Sequence, residues 1–152
     1  MNSSRLAVLA SLVLAISCRD AVGPVRPLTD LDAARQRWRA QNLHTYAFTL
    51  QRSCACTNVD PLYVLVVGDT VAGAFDLESG VWVDSQLGET VEDLFTLVQN
   101  ATDHPPRLIR VQYDAAKGFP TEIDYRETAQ IADDEIVYHL SGVHPVPSAE
   151  RQ

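Results

Sequence analysis

Lysine is almost missing from this chain of 152 residues, where Lys117 stands alone among 12 basic side chains. Against them are 20 acidic residues, giving a formal net charge of −8. Phosphate backbones need a cationic footprint, so the balance argues against nucleic acid as a partner. It equally disfavours docking on anionic lipid through a basic patch. Most of the acidity reads as solvated surface that keeps the protein in solution. Cysteine is also scarce, with Cys18, Cys54 and Cys56 and no C-x-x-C spacing. No G-x-S-x-G elbow, P-loop, H-E-x-x-H or G-x-G-x-x-G occurs, so the commonest catalytic and cofactor signatures are absent. The four histidines (His44, His104, His139, His144) are scattered, and none stands at ligand spacing with another. The sequence offers no cofactor site.

The apolar stretch Leu6–Ile16, interrupted only by Ser11, is too short to span a bilayer comfortably. It follows Arg5 and runs into small residues ending at Cys18, the pattern of an exported leader. Leu14-Ala15-Ile16-Ser17-Cys18 resembles a bacterial lipobox, in which the cysteine becomes the lipidated first residue of the mature chain. Residues 1–17 are then a signal peptide and Cys18 the anchor to a membrane. Ala15 stands where leucine is commonest; the competing readings are an ordinary signal peptide with an incidental cysteine and, against the short apolar run, an uncleaved membrane anchor. Arg19, not an aspartate, follows Cys18, which favours an outer membrane where there is one. Gly23, Pro24 and Pro27 make residues 18–28 a tether.

A hydrophobic fraction of 46% with 21% charged residues suits one globular domain, placed at residues 29–144. Thr29-Asp30-Leu31-Asp32 fits a capping box, and Leu31, Ala34 and Trp38 recur at helical spacing, predicting a helix over 30–42. Trp38 reads as a core anchor. Tyr46, Phe48 and Leu50 alternate with polar or small residues as a half-buried strand, whose parity carries on to Cys54 and Cys56. Leu62–Val67 and Thr70–Leu77 flank the tight turn Gly68-Asp69 as a hairpin. A loop with a short strand around Trp82 precedes a second capped helix over 90–101. Arg107–Tyr113 and Phe119–Arg126 form another hairpin, shaped by Tyr113, Asp114, Gly118 and Pro120. Ile136, Tyr138 and Leu140 mark a last strand, and residues 145–152 read as a frayed tail. The expected architecture is α+β: one antiparallel sheet of about six strands with both helices on one face. A duplicated αβββ unit is the preferred topology.

Trp38, the Tyr46-Ala47-Phe48 strand, Cys54-Ala55-Cys56, helix 90–101, the Tyr113-Asp114…Gly118-Phe119-Pro120 hairpin and Ile131-Ala132-Asp133-Asp134-Glu135 follow in that order. In these motifs the chain resembles a family of small exported bacterial proteins termed domain of unknown function 6174. The resemblance runs over roughly residues 30–143. It implies export and a shared fold, and implies no activity.

Two clusters could carry chemistry. In an oxidising compartment Cys54 and Cys56 are expected to pair. On a straight strand their Cα atoms would lie about 7 Å apart, at the limit for a disulfide, so a bond needs a bent backbone. A structural staple, a thiol-redox site and two ligands of a metal site are the competing readings. The second cluster is acidic. Glu122 and Asp124 lie opposite Ile123, and Asp133 and Glu135 opposite Ile136, so like charges face one another unless a cation or arginine intervenes. Calcium held by Asp124, Asp133 and Glu135 is one reading, although EF-hand spacing is absent. Asp134 has the inward parity of Ile136 and is expected to lock the turn by accepting backbone N–H groups. Together these features describe a membrane-anchored envelope module that binds an envelope protein or small ligand and has no catalysis of its own.

Overall fold

The computed structural model describes residues 27–55, 60–104, 108–127 and 134–147. Two helices and seven strands account for most of them. Helix α1 spans Pro27–Ala40, and Leu31, Ala34 and Trp38 form its buried stripe. It starts at Pro27, not at residue 30, because proline's fixed φ suits a first helical turn that needs no N–H there. Thr29 therefore lies within the helix, and the tether expected to reach residue 28 ends sooner. The helix closes at Asn42, whose φ of 51° turns the chain away from the axis.

Strand β1 (Thr45–Ser53) follows, with Tyr46, Phe48 and Leu50 buried. Opposite them on β2 (Leu62–Val67) stand Val66, Val64 and Leu62, so the two apolar faces coincide. Gly68 and Asp69 both take positive φ (59° and 64°), the two-residue turn that matches strand twist, and lead into β3 (Thr70–Asp76). The Asp76 carboxylate accepts N–H bonds from Glu78 and Ser79 at 2.8 and 3.0 Å, shaping the next turn. Strand β4 (Val81–Val83) and a 3-10 turn at Ser85–Leu87 precede helix α2 (Val91–Asp103). The expected capping box is present, with Thr90 and Asp93 each bonding the other's backbone N–H. Strands β5 (Leu108–Tyr113), β6 (Pro120–Arg126) and β7 (Glu135–Pro145) complete the sheet. β7 reaches Pro145, and Val146 behind it is only 7% exposed, so the packed chain outlasts the boundary expected at 144.

The sheet is antiparallel throughout, in the order β4-β3-β2-β1-β7-β6-β5. The α+β class is as expected, with β4 as a seventh strand. Both helices lie on one face and share one core with Tyr46, Phe48, Val64, Ile123 and Leu140. Burying each such side chain contributes roughly 1.5–3 kcal/mol, which drives both helices onto the sheet. The halves are not superposable copies of an αβββ unit. A shift along the sheet matches their strand order but reverses every strand, since β1 and β5 run in opposite directions. The rotation that would correct the direction would carry α2 to the other face. Among the described residues, no helix is long and apolar enough to cross a membrane.

Candidate binding face

On the helix-covered side, polar groups serve the packing. Trp38 is 3% exposed and donates through Nε1 to Glu92 Oε1 at 2.6 Å. Tyr46 donates its hydroxyl to Glu92 Oε2 at 2.8 Å and accepts the Val91 N–H at 3.1 Å. One carboxylate thus ties the start of α2 to α1 and β1, and an otherwise orphaned helix N–H is satisfied. Burial pushes the Tyr46 phenol well above its ordinary range, reinforced by the Glu92 charge, so it stays a donor. Trp38 is a core anchor, with its ring edge-on to Tyr46 at 5.2 Å and to Phe119 at 6.4 Å.

The β5–β6 turn is docked on the same helix. Asp114 Oδ1 accepts from Ala116 N–H and Lys117 N–H at 3.0 and 2.6 Å, and Asp114 N–H donates to Phe119 O at 2.9 Å. Gly118 has a φ of 85°, and a Cβ there would collide with the Ala34 carbonyl and sit 2.8 Å from Arg37 Cβ. Pro120 is fully buried at the start of β6, and Tyr113 stacks on Phe95 at 6.2 Å. Burial pushes the Tyr113 phenol up to about 12. Of the six residues expected to be structural, Trp38, Asp114, Gly118 and Pro120 lie at the α1–hairpin contact, Tyr113 packs on α2, and Asp134 stands apart before β7.

Among the described residues, no helix lies on the opposite face of the sheet. Register pairs place Trp82, Phe75, Tyr63, Thr49 and Ser141 in one row across β4, β3, β2, β1 and β7. Trp82 is 61% exposed. Its ring lies over Gly73, where a Cβ would come within 2.7 Å of it, and meets Phe75 edge-on at 5.4 Å. Glycine at 73 therefore lets the indole lie against the strand with its other face open. Tyr63 continues the row, its ring 6.4 Å from that of His144.

Toward β5 the same face turns ionic. Glu122 accepts from Gln112 Nε2 at 3.1 Å and lies 3.6 Å from His139 Nδ1. Asp124 sits 3.8 Å from both Arg110 and Arg126, and Arg126 donates to Glu135 Oε2 at 2.8 Å. Two of the three carboxylates of the calcium reading are thus bridged by a guanidinium, the arginine that like charges required. Asp133 lies outside the described residues. Among the described residues no group of three His, Cys, Asp or Glu is placed to hold a metal. Asp134 is half-buried just before β7.

Cys54 is half-buried in a bend just beyond the end of β1. Cys18 and Cys56 lie outside the described residues. The histidines are separate: His44 on Asp69 at 2.8 Å, His104 on Asn100 O, His144 on Gly142 O, and His139 as above. Three features escaped the sequence reading, namely Glu92, the aromatic row, and Glu89. Burial raises the Glu89 carboxyl's pKa, with the Arg52 charge opposing, and its Oε2 is buried with no hydrogen-bond partner among the described residues.

The family of unknown function DUF6174 matches over residues 30–145. The chain belongs to that family. For this DUF6174 chain the match takes in nearly all of α1, every strand and α2. No curated protein and no solved structure matches it.

Proposed function

We propose that this DUF6174 chain is an exported, lipid-anchored envelope protein that acts by binding through its open sheet face, without catalysis. The observation that carries the binding reading is the row Trp82–Phe75–Tyr63 on a face that, among the described residues, no helix covers. Rigid aromatic anchors beside hydrogen-bonding side chains are the composition of a recognition surface. Thr49, Ser141 and His139 supply the polar neighbours. The anchor rests on the leader and on Cys18 within its lipobox-like run. It puts the module at a membrane surface, periplasmic or cell-surface, with the outer membrane favoured by Arg19. The ligand class is an envelope protein or a small ligand.

A Cys54–Cys56 staple belongs to the same reading. The chain bends at Cys54 and Ala55, and a bend is what pairing two residues apart demands. So small a loop constrains little of the unfolded chain, so its effect on stability is slight. The acidic set is read as ion-paired through Arg126.

The test compares envelope fractions captured by the immobilised wild-type chain and by Trp82→Ala. An exposed aromatic anchor contributes about 2 kcal/mol to an interface, so specific capture should fall roughly 30-fold. The melting temperature should hardly change, because the indole lies outside the core. Equal capture by both proteins would remove the open face from the account.

A further inference from the structure

The two edges of the sheet differ. β4 is three residues long and runs straight into the Asp84 cap, which blunts it as a pairing template. β5 is six residues, Leu108–Tyr113, with no proline, glycine or lysine and no inward-facing charge. It ends the sheet, and among the described residues nothing pairs with its outer side. Beside it on the helix side runs a groove of about 240 Å³, with Val98, Ile109, Val111 and Tyr113 as its apolar lining and Thr102, Asp30 and Arg110 as its polar members. Arg110 is the one charge on this edge, and its side chain stands on the outer face, so the backbone and the largely apolar shelf beside it are left open to another strand.

We propose that β5 is a self-association edge, on which a second copy of this chain pairs antiparallel about a two-fold axis through Val111. Opposed residues in an antiparallel pair share a face, so only registers that match inward with inward are allowed. Centring on Val111 sets Val111 against its own copy and Ile109 against Tyr113 of the second chain. All three are half-buried in the monomer, and the pairing carries the apolar layer across the junction. Asp114 donates toward β6, and alternation then turns the backbone of Val111 and Ile109 to the open edge, where their N–H and C=O groups can pair.

Charge selects the same register. On the outer face Arg110, whose side chain is 88% exposed, comes opposite Gln112 of the second copy. That glutamine already donates to Glu122 on the next strand. Each Arg110 then lies between its own Asp124 and the second copy's Glu122. The two-fold repeats the arrangement, giving two complementary rows per junction.

The test is disulfide trapping in cells that express the full-length chain. Val111→Cys should give a reductant-sensitive dimer that the wild type lacks, because symmetric opposition brings the two thiols within bonding range. Arg110→Cys should give little, since the two copies of residue 110 are offset diagonally. Adding Arg110→Glu to Val111→Cys should cut trapping about tenfold, and further adding Glu122→Arg should restore it. Absence of the Val111→Cys dimer in a folded protein would overturn the proposal. So would equal trapping at both positions, or an adduct with a different protein in place of a second copy.

Discussion

Glu89 shows how a single side chain can set the pH behaviour of the domain. Its carboxyl is desolvated by burial, which disfavours the charged form and raises its pKa in the fold. A raised folded-state value means the group's contribution is fully present below the unfolded pKa and is lost as pH rises through the folded one. The wild type should therefore lose stability as pH climbs from acid toward neutral through this group. Glu89→Gln keeps the shape without the charge, so it should be more stable than wild type at pH 7. The difference should shrink toward pH 4, as read by denaturant titration at several pH values. A variant less stable than wild type at pH 7 would show that attraction to Arg52 outweighs desolvation. Nothing in the sequence marks Glu89, because its burial depends on where other elements pack. The same holds for Glu92, which looks like ordinary first-turn acid until Trp38, 54 residues upstream, is brought to it. Asp114, Gly118 and Pro120 were legible because turn chemistry is local.

Among the elements, the β5–β6 hairpin and α1 are held together at one close approach. Gly118→Ala has to bear both a left-handed φ and a collision with the α1 backbone. The left-handed conformation costs a side chain roughly 1–2 kcal/mol and overpacking about as much again, so a loss of about 3 kcal/mol is expected. Equilibrium denaturation measures it; a loss below about 1 kcal/mol would mean that the hairpin shifts away from α1 easily. Both helices and the hairpin strands were readable from periodicity and turn residues. The aromatic row was not, for a definite reason. Counting back from the Gly68-Asp69 turn without a bulge sets Tyr63 against Ala74, with Phe75 turned to the core side. A register shift between Leu65 and Val66 moves the pairing by one, so Tyr63 meets Phe75 and the ring joins the open face. Gly73, a glycine within a strand, was the available signal. Likewise α1 begins at Pro27, where proline outranks the Thr29 box as a start signal.

For the molecule as a whole, the α+β class followed from composition and patterning, whereas the strand order did not. Pairing β1 with β7 joins the chain's beginning to its end, a non-local choice that no window of sequence contains. That pairing makes the sheet one continuous surface, aromatic toward β4 and ionic toward β5, with α1 and α2 both on the other side. Anchored as proposed, the module would present this face to its surroundings in the envelope. The proposed leader would decide where this happens. Intact mass of the full-length chain extracted from membranes, with and without reductant, tests it most directly. The account predicts a mature chain beginning at an acylated Cys18, two hydrogens lighter before reduction than after. An unacylated chain with free thiols at Cys54 and Cys56 would contradict both the anchor and the staple.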